Sequence, residues 1–469
     1  MRGPWTNAIP ALVAGIAGLT AACEPGGGPS MRFIAGTPHQ EYAARLRRAG
    51  LHATALGRDW MAAADRALAE PVDVDAPHLE ARFLDPARAT AVAYRLVLER
   101  GQRLVVRLDL GEGDRGDARF FLDLFFAADT TASLQLAATG DSAGRTLEYV
   151  ALRPGTYVLR VQPELLRGGR VTLSVRARAS LGFPVAGRDM AGIRSGFGAP
   201  RDAGRREHQG VDIFAPHGTP VVAAVAGRVS RVSTSRLGGN VVWLREDGID
   251  RRLYYAHLDR HAVLEGAWVR PGDTLGFVGN TGNARTTPPH LHFGIYMRGL
   301  GPVDPHFHLY DPPQDAARFA GDSALVGHWA RIGTAETAIR ARPGSASAVL
   351  TVVPGLTPVE LLAGSGGWYR ARLPDGREGY VAVRATEALT PLEMATVVGN
   401  SLLRAAPRDA GAAVDSVAQG DTVPVFGRFG AYSLVQRAAG PPGWLGESRL
   451  EAPAVVGGGQ DRGGAVGGR

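Results

Sequence analysis

The chain has 469 residues, which at roughly 150 residues per domain is enough for about three domains. Its 45% hydrophobic and 21% charged residues are ordinary globular usage and exclude a wholly disordered, collagen-like or polytopic membrane protein. The 52 basic residues are all arginine and stand against 45 acidic ones, a formal net charge of +7, but they are scattered without the basic stripe or aromatic interleaving that nucleic-acid binding needs, so no nucleic-acid partner is expected.

Taken in chain order, Arg2 precedes a weakly apolar run at residues 8–22 that is too short to cross a hydrocarbon layer of about 30 Å as a helix. The run ends in small residues before Cys23, the single cysteine, so neither an intrachain disulfide nor a cysteine zinc site is available. Residues 1–22 read as an export signal. Leu19-Thr-Ala-Ala-Cys23 resembles the lipobox of bacterial lipoproteins, which implies acylation of Cys23 and anchoring to a membrane. Thr20 replaces the usual Leu, and cleavage by an ordinary signal peptidase is the other reading. Both readings place the protein in the cell envelope or periplasm.

A linker at 23–39 leads to residues 40–71, where Tyr42, Leu46, Leu51, Leu56, Trp60, Ala64 and Leu68 recur at near-helical spacing and predict one or two amphipathic helices. From 72 to 180 the pattern alternates, as in Leu104-Val-Val-Arg-Leu-Asp-Leu, and predicts a β-sandwich. Its run Leu152-Arg-Pro-Gly-Thr-Tyr-Val-Leu-Arg-Val is similar to the closing hairpin of prepeptidase-type domains that accompany secreted peptidases. Residues 183–309 hold eight of the 12 histidines, and a connector at 310–328 follows. Two repeats come next, at 329–389 and 393–452: Arg340-Ala-Arg-Pro343 recurs as Arg404-Ala-Ala-Pro407, and Gly379-Tyr-Val381 as Gly443-Trp-Leu445, both offset by 64. They resemble bacterial SH3-like barrels, which bind and do not catalyse. The tail at 453–469 is Gly-rich and expected to be disordered.

Chemistry concentrates in the histidine-rich region. His208-Gln-Gly-Val-Asp212 opens an apolar stretch, and even spacing puts His208 and Asp212 on one face of an extended strand. His290-Leu-His292 supplies two imidazoles with the same parity, and His257 stands between the two motifs. Imidazole nitrogen and carboxylate oxygen are zinc donors, and a catalytic site uses three of them plus one open position. The remaining histidines are then free for proton transfer, for which a pKa of roughly 6.5 suits them.

These residues carry a family. His208-x-Gly-x-Asp212, Tyr255-x-His257-Leu, Gly279-Asn-Thr-Gly282 and His290-Leu-His292-Phe-Gly294, preceded by Ser195-Gly-Phe-Gly198, resemble the lysostaphin and LytM type of zinc endopeptidase over roughly 120 residues. The resemblance implies that His208, Asp212 and His292 hold Zn2+, that His257 and His290 are the catalytic pair, and that peptide cross-links of bacterial peptidoglycan are the substrate. The expected fold class is mainly β and multidomain: an antiparallel β-sheet peptidase domain, a β-sandwich before it, two small SH3-like barrels after it and a short helical N-terminal segment.

Two other functions compete. One is a non-catalytic activator of a cell-wall amidase, against which the five intact positions argue; the other is a secreted zinc protease acting on Gly-rich proteins. His217, His261, His306 and His308 match no ligand position. Gly140-Asp-Ser142-Ala-Gly144 fits a serine-hydrolase elbow only on paper, because no helical pattern follows it, and it reads as a polar turn.

Overall fold

The computed structural model describes residues 36–451 apart from 112–117, 129–133, 142–144, 202 and 439. The export signal with Cys23, Ser142 with Gly144, and the Gly-rich tail lie outside the described residues.

Two helices open the described chain. Pro38–Arg48 starts at a capping box in which the Thr37 hydroxyl accepts from Gln40 N and the Gln40 side chain accepts from Thr37 N, satisfying amides that a helix start leaves open. Gly50, at φ 71°, turns the chain out of it. Ala55–Ala69 is capped by Thr54. The apolar stripe is core: Trp60 is 1% exposed, stacks on His39 with ring centroids 4.7 Å apart and donates its indole N–H to Pro163 O at 2.8 Å. The helices therefore cover a sheet of the following unit, packing against Phe120–Ala127 and Gly155–Pro163.

That unit has two sheets facing each other across one core. The first runs Val72–Asp73, Val92–Leu98, Gly155–Pro163, Phe120–Ala127, Leu134–Thr139; the second contains His78–Leu84, Gly169–Ala179, Gln102–Leu110 and Thr146–Val150. Alternation decides what is inside: Leu104, Val106 and Leu108 are at most 3% exposed, while Arg103 and Arg107 face out. The second sheet does not end there. Ala81 and Arg82 pair with Gly364 and Ala363 of the first C-terminal repeat, so one sheet runs through both units.

The histidine-rich region folds as an antiparallel sheet in the order Ile193–Ser195, Val211–Phe214, His290–Met297, Arg251–His261, Gly239–Glu246, Gly227–Ser235, Trp268–Val269. Its core includes Ile213, Leu291, Phe293 and Tyr255, all 0% exposed. A buried polar joint ties it to the sandwich. The Arg251 guanidinium, 1% exposed, pairs with Glu246 and donates to Ser180 Oγ at 3.0 Å and to His308 Nδ1 at 2.6 Å. His308, given no ligand role from sequence, thus belongs to this joint.

The 64-residue offset is structural. Arg340 pairs with Tyr380 across the ladder as Arg404 pairs with Trp444. The two arginines also make the same local contact, Arg340 Nη1 donating to Ser347 O and Arg404 Nη1 to Gly411 O, each seven residues on. The architecture is mainly β, multidomain and built of antiparallel sheets with few short helices. Among the described residues no helix is long and apolar enough to cross a membrane.

Candidate metal centre

Three adjacent strands bring the site together. Asp212 on Val211–Phe214 lies directly across the ladder from His292 on His290–Met297, and His292 lies across from Ala256 on Arg251–His261. Asp212 and His292 therefore share a face by register.

His208 arrives differently from the sequence expectation. It stands before the strand, which begins at Val211, and bonds to the preceding loop through His208 N to Ala199 O at 2.9 Å and Gly198 N to His208 O at 2.8 Å. Gly210 permits the bend, since a Cβ there would meet Phe293 O at 2.4 Å and the His292 ring at 2.9 Å. The imidazole still reaches Asp212. His208 Nδ1 donates to Gly196 O at 2.8 Å, which fixes the tautomer and leaves the Nε2 lone pair facing inward.

The donor atoms converge. His208 Nε2 is 2.9 Å from His292 Nδ1, and each is 3.0 Å from Asp212 Oδ1. The three residues form a group whose ligand atoms all lie within 4.8 Å of one another. Donors about 2.0–2.1 Å from a tetrahedral zinc are about 3.3 Å apart, so the triangle is within a few tenths of an ångström of the size the ion imposes. The donor set fits zinc. Burial alone would raise the Asp212 carboxyl, but its contacts with His208 and His292 outweigh it and hold the group well below the usual carboxylate range. Burial, outweighing Asp212, holds His292 below the usual imidazole value and hence neutral, the form a metal ligand requires.

His257 and His290 flank this triangle in one cleft of about 520 Å³. His290 Nδ1 donates to Pro288 O and His257 Nδ1 to Thr281 O, both at 2.9 Å, so in each ring the Nε2 lone pair is left for the cleft. The ring centroids are 5.1 Å apart. Burial, then the neighbouring His290 and His292, push His257 down to about 4, leaving it a neutral proton acceptor at physiological pH.

The parity of His257 is set by backbone strain. On a regular strand it would share the core face with Tyr255, yet Tyr254 and Ala256 line the cleft and so does His257. A left-handed residue breaks the alternation: His257 sits at φ 62°, opposite a register shift between Asn240 and Val242. Its amide is held by Gly238 O at 2.7 Å. Asn240 Nδ2 fastens the next carbonyls, Leu258 O at 3.1 Å and Asp259 O at 2.8 Å. Strain of this kind persists only where surrounding bonds over-determine it.

Sequence reasoning missed Arg201. Its Nη2 donates to Asp212 Oδ2 and to Ser195 Oγ, both at 2.6 Å. It also missed the aromatic wall, where Trp243 packs at a tilt against Tyr254 with ring centroids 4.5 Å apart and Tyr254 meets the His292 ring edge-on at 5.9 Å. Arg201 lies seven residues before His208, on the first arm of the short hairpin Pro200–Arg201 with Arg206–Glu207, and only a motif spanning that hairpin could have flagged it.

The antiparallel sheet presents a His/Asp/His donor set that fits zinc, with two further histidines beside it. The family model described as Peptidase family M23 matches residues 206–305, and that described as Bacterial SH3 domain matches residues 335–387. The chain thus contains an M23/LytM-type zinc peptidase domain with an SH3-like domain C-terminal to it.

Among curated relatives, the L-Ala--D-Glu endopeptidase of Bacillus subtilis is 37% identical over 138 residues, covering 27% of this chain and 42% of that protein. The peptidoglycan DD-endopeptidase ShyC of Vibrio cholerae is 39% identical over 95 residues, 20% of this chain and 21% of that protein. The solved catalytic domain of lysostaphin from Staphylococcus simulans is 34% identical, covering 24% of this chain and 85% of that one, with a TM-score of 0.22. The chain spans less than half the length of these curated relatives.

Proposed function

We propose that the protein is an exported zinc metalloendopeptidase that hydrolyses the peptide cross-links of bacterial peptidoglycan. The observation that carries this reading is the convergence of five side chains, three as a metal donor set and two as imidazoles whose Nε2 atoms face the same cleft. The names of the relatives above supply the substrate class.

In this reading His208, Asp212 and His292 hold the ion. Zinc bound in such a set supplies Lewis acidity and brings the ionisation of water toward neutral pH. His257 and His290 divide the remaining work. One takes a proton at Nε2 from the attacking water; the other, once protonated at Nε2, holds the developing oxyanion or passes that proton to the departing amine. The units at 72–180, 183–309, 329–389 and 393–452 are its domains, the two repeats being small SH3-like barrels that hold the enzyme on the wall, and lipidation of Cys23 anchors it on the membrane side. The intact donor set favours catalysis over amidase activation.

Purified sacculi incubated with the protein, with and without a zinc chelator, test the proposal through mass analysis of the released muropeptides. Cleaved cross-links are expected only without chelator. His292→Ala is expected to lose zinc and activity together, and His290→Ala to lose activity at unchanged zinc content. Both variants keeping activity would overturn the assignment.

A further inference from the structure

A second cleft, of about 830 Å³, lies between the sandwich and the peptidase sheet, larger than the catalytic one and within the range of ligand sites. One wall is the outer face of the sheet strands Gln102–Leu110 and Gly169–Ala179. Their register sets Arg103 opposite Arg178, Val105 opposite Arg176 and Arg107 opposite Ser174, so four guanidiniums project from one face of two neighbouring strands. The other wall belongs to the peptidase side, with Arg188 beside the apolar Phe183 and Met190.

Two of these five arginines are committed. Arg103 Nη2 donates to Ser180 O at 3.2 Å and Arg178 Nη2 to Asp311 Oδ2 at 3.1 Å. The guanidiniums of Arg107, Arg176 and Arg188 have no hydrogen-bond or ion-pair partner among the described residues. Three carboxylates share the cleft: Asp311 is taken by Arg178, Asp189 Oδ1 accepts from Ala191 N at 2.9 Å, and Glu148 faces Val105 across the ladder. Crowding like charges on paired strands is unfavourable. An anion relieves it, and the forked guanidinium matches a carboxylate in shape and charge.

The cleft is tied to the catalytic site by one short stretch of chain. Gly196, whose carbonyl holds His208, is eight positions on from Arg188, so at most about 28 Å of backbone lies between them. That separation is within the span of a branched polymer.

We propose that this cleft is a second substrate site, which takes the carboxylate-bearing stem peptides of peptidoglycan next to the one being cut; the proposal rests on the peptidoglycan reading above. The test uses the full chain with zinc removed by chelator, so that nothing is cut, and measures pelleting with purified sacculi at about 0.1 M salt, where charge attraction is only partly screened.

The triple variant Arg107→Gln, Arg176→Gln, Arg188→Gln is expected to bind roughly tenfold more weakly, as for loss of charge-assisted contacts, while the same positions changed to Lys keep most of the binding. Sacculi whose carboxyls have been amidated are expected to hold the wild type no better than unmodified sacculi hold the Gln variant. Unchanged binding of the Gln variant, indifference to amidation, or equal loss in the Gln and Lys variants with a lowered melting temperature would each overturn the cleft. Zinc-loaded wild type is assayed separately on a soluble cross-linked muropeptide: no hydrolysis there refutes the peptidoglycan reading, whereas hydrolysis combined with full binding by the Gln variant refutes only the second site.

Discussion

Asp212 has two oxygens with different duties. Oδ1 faces His208 and His292, and Oδ2 is held by Arg201 at 2.6 Å. A guanidinium in that place holds Oδ1 turned toward the two imidazoles, and partners of this kind typically set metal affinity by 10–100-fold. Arg201→Gln is therefore expected to weaken zinc binding by about that factor, read by competition with a chromophoric chelator; unchanged affinity would remove the orienting role. Sequence parity reached most of this site. It put His290 and His292 on one strand face correctly because that strand is regular. It could not reach Arg201, whose relation to Asp212 exists only after a turn folds back, and it would have turned His257 the wrong way, because nothing in Tyr254-Tyr-Ala-His257 announces a left-handed residue.

At the scale of elements, periodicity found both N-terminal helices but not the surface they cover. The helices bury Trp60 against the sandwich, where truncating so large a side chain typically costs about 3–5 kcal/mol. Beside it His39 bonds to Gln162 Oε1 at 2.7 Å, and burial first, then the charge of Arg160, push its imidazole down to about 4 from the ordinary 6.5. A folded-state value below the free one means that the undocked helices bind more protons in between, so docking is strongest above pH 6.5 and weakens as the pH falls from there toward about 4. Amide protection factors for residues 38–69 are expected to fall across that window, and His39→Phe is expected to flatten the dependence. Protection that stays level in the wild type would refute this.

For the whole molecule, composition and repeats gave the order of units, while the joints between them were invisible. Ser180, the Glu246–Arg251 hairpin end and His308 come from three separate stretches of sequence, and each residue reads alone as an ordinary polar one. The same holds for Ala81 and Gly364, whose pairing continues one sheet from the sandwich into the first repeat, reinforced by Ser365 Oγ donating to Leu79 O at 2.8 Å. Residues 310–328 follow the strand Gly169–Ala179 backwards, with Gln314 Nε2 on Ala177 O at 3.0 Å and Arg170 Nη2 on Ala324 O at 2.8 Å. These contacts do not need an intact connector. A protease site introduced beside Arg318 is expected to be cut without separating the fragments, which should co-elute in size-exclusion chromatography; independent elution would show that the shared sheet does not hold the units together.

The strand Gly169–Ala179 has a further consequence. Near its start, Thr172 pairs with Ala81, which in turn pairs with Gly364; at its end the chain passes through Ser180 into the hydrolytic unit. From Thr172 to Ser180 the span is about 26 Å at roughly 3.3 Å per residue, fixed by ladders on both sides as far as Val175 and on one side to Ala179. A tool gripped at one end of so stiff a bar works at a set offset from its hold, and so behaves less like a tethered blade than like a gauge.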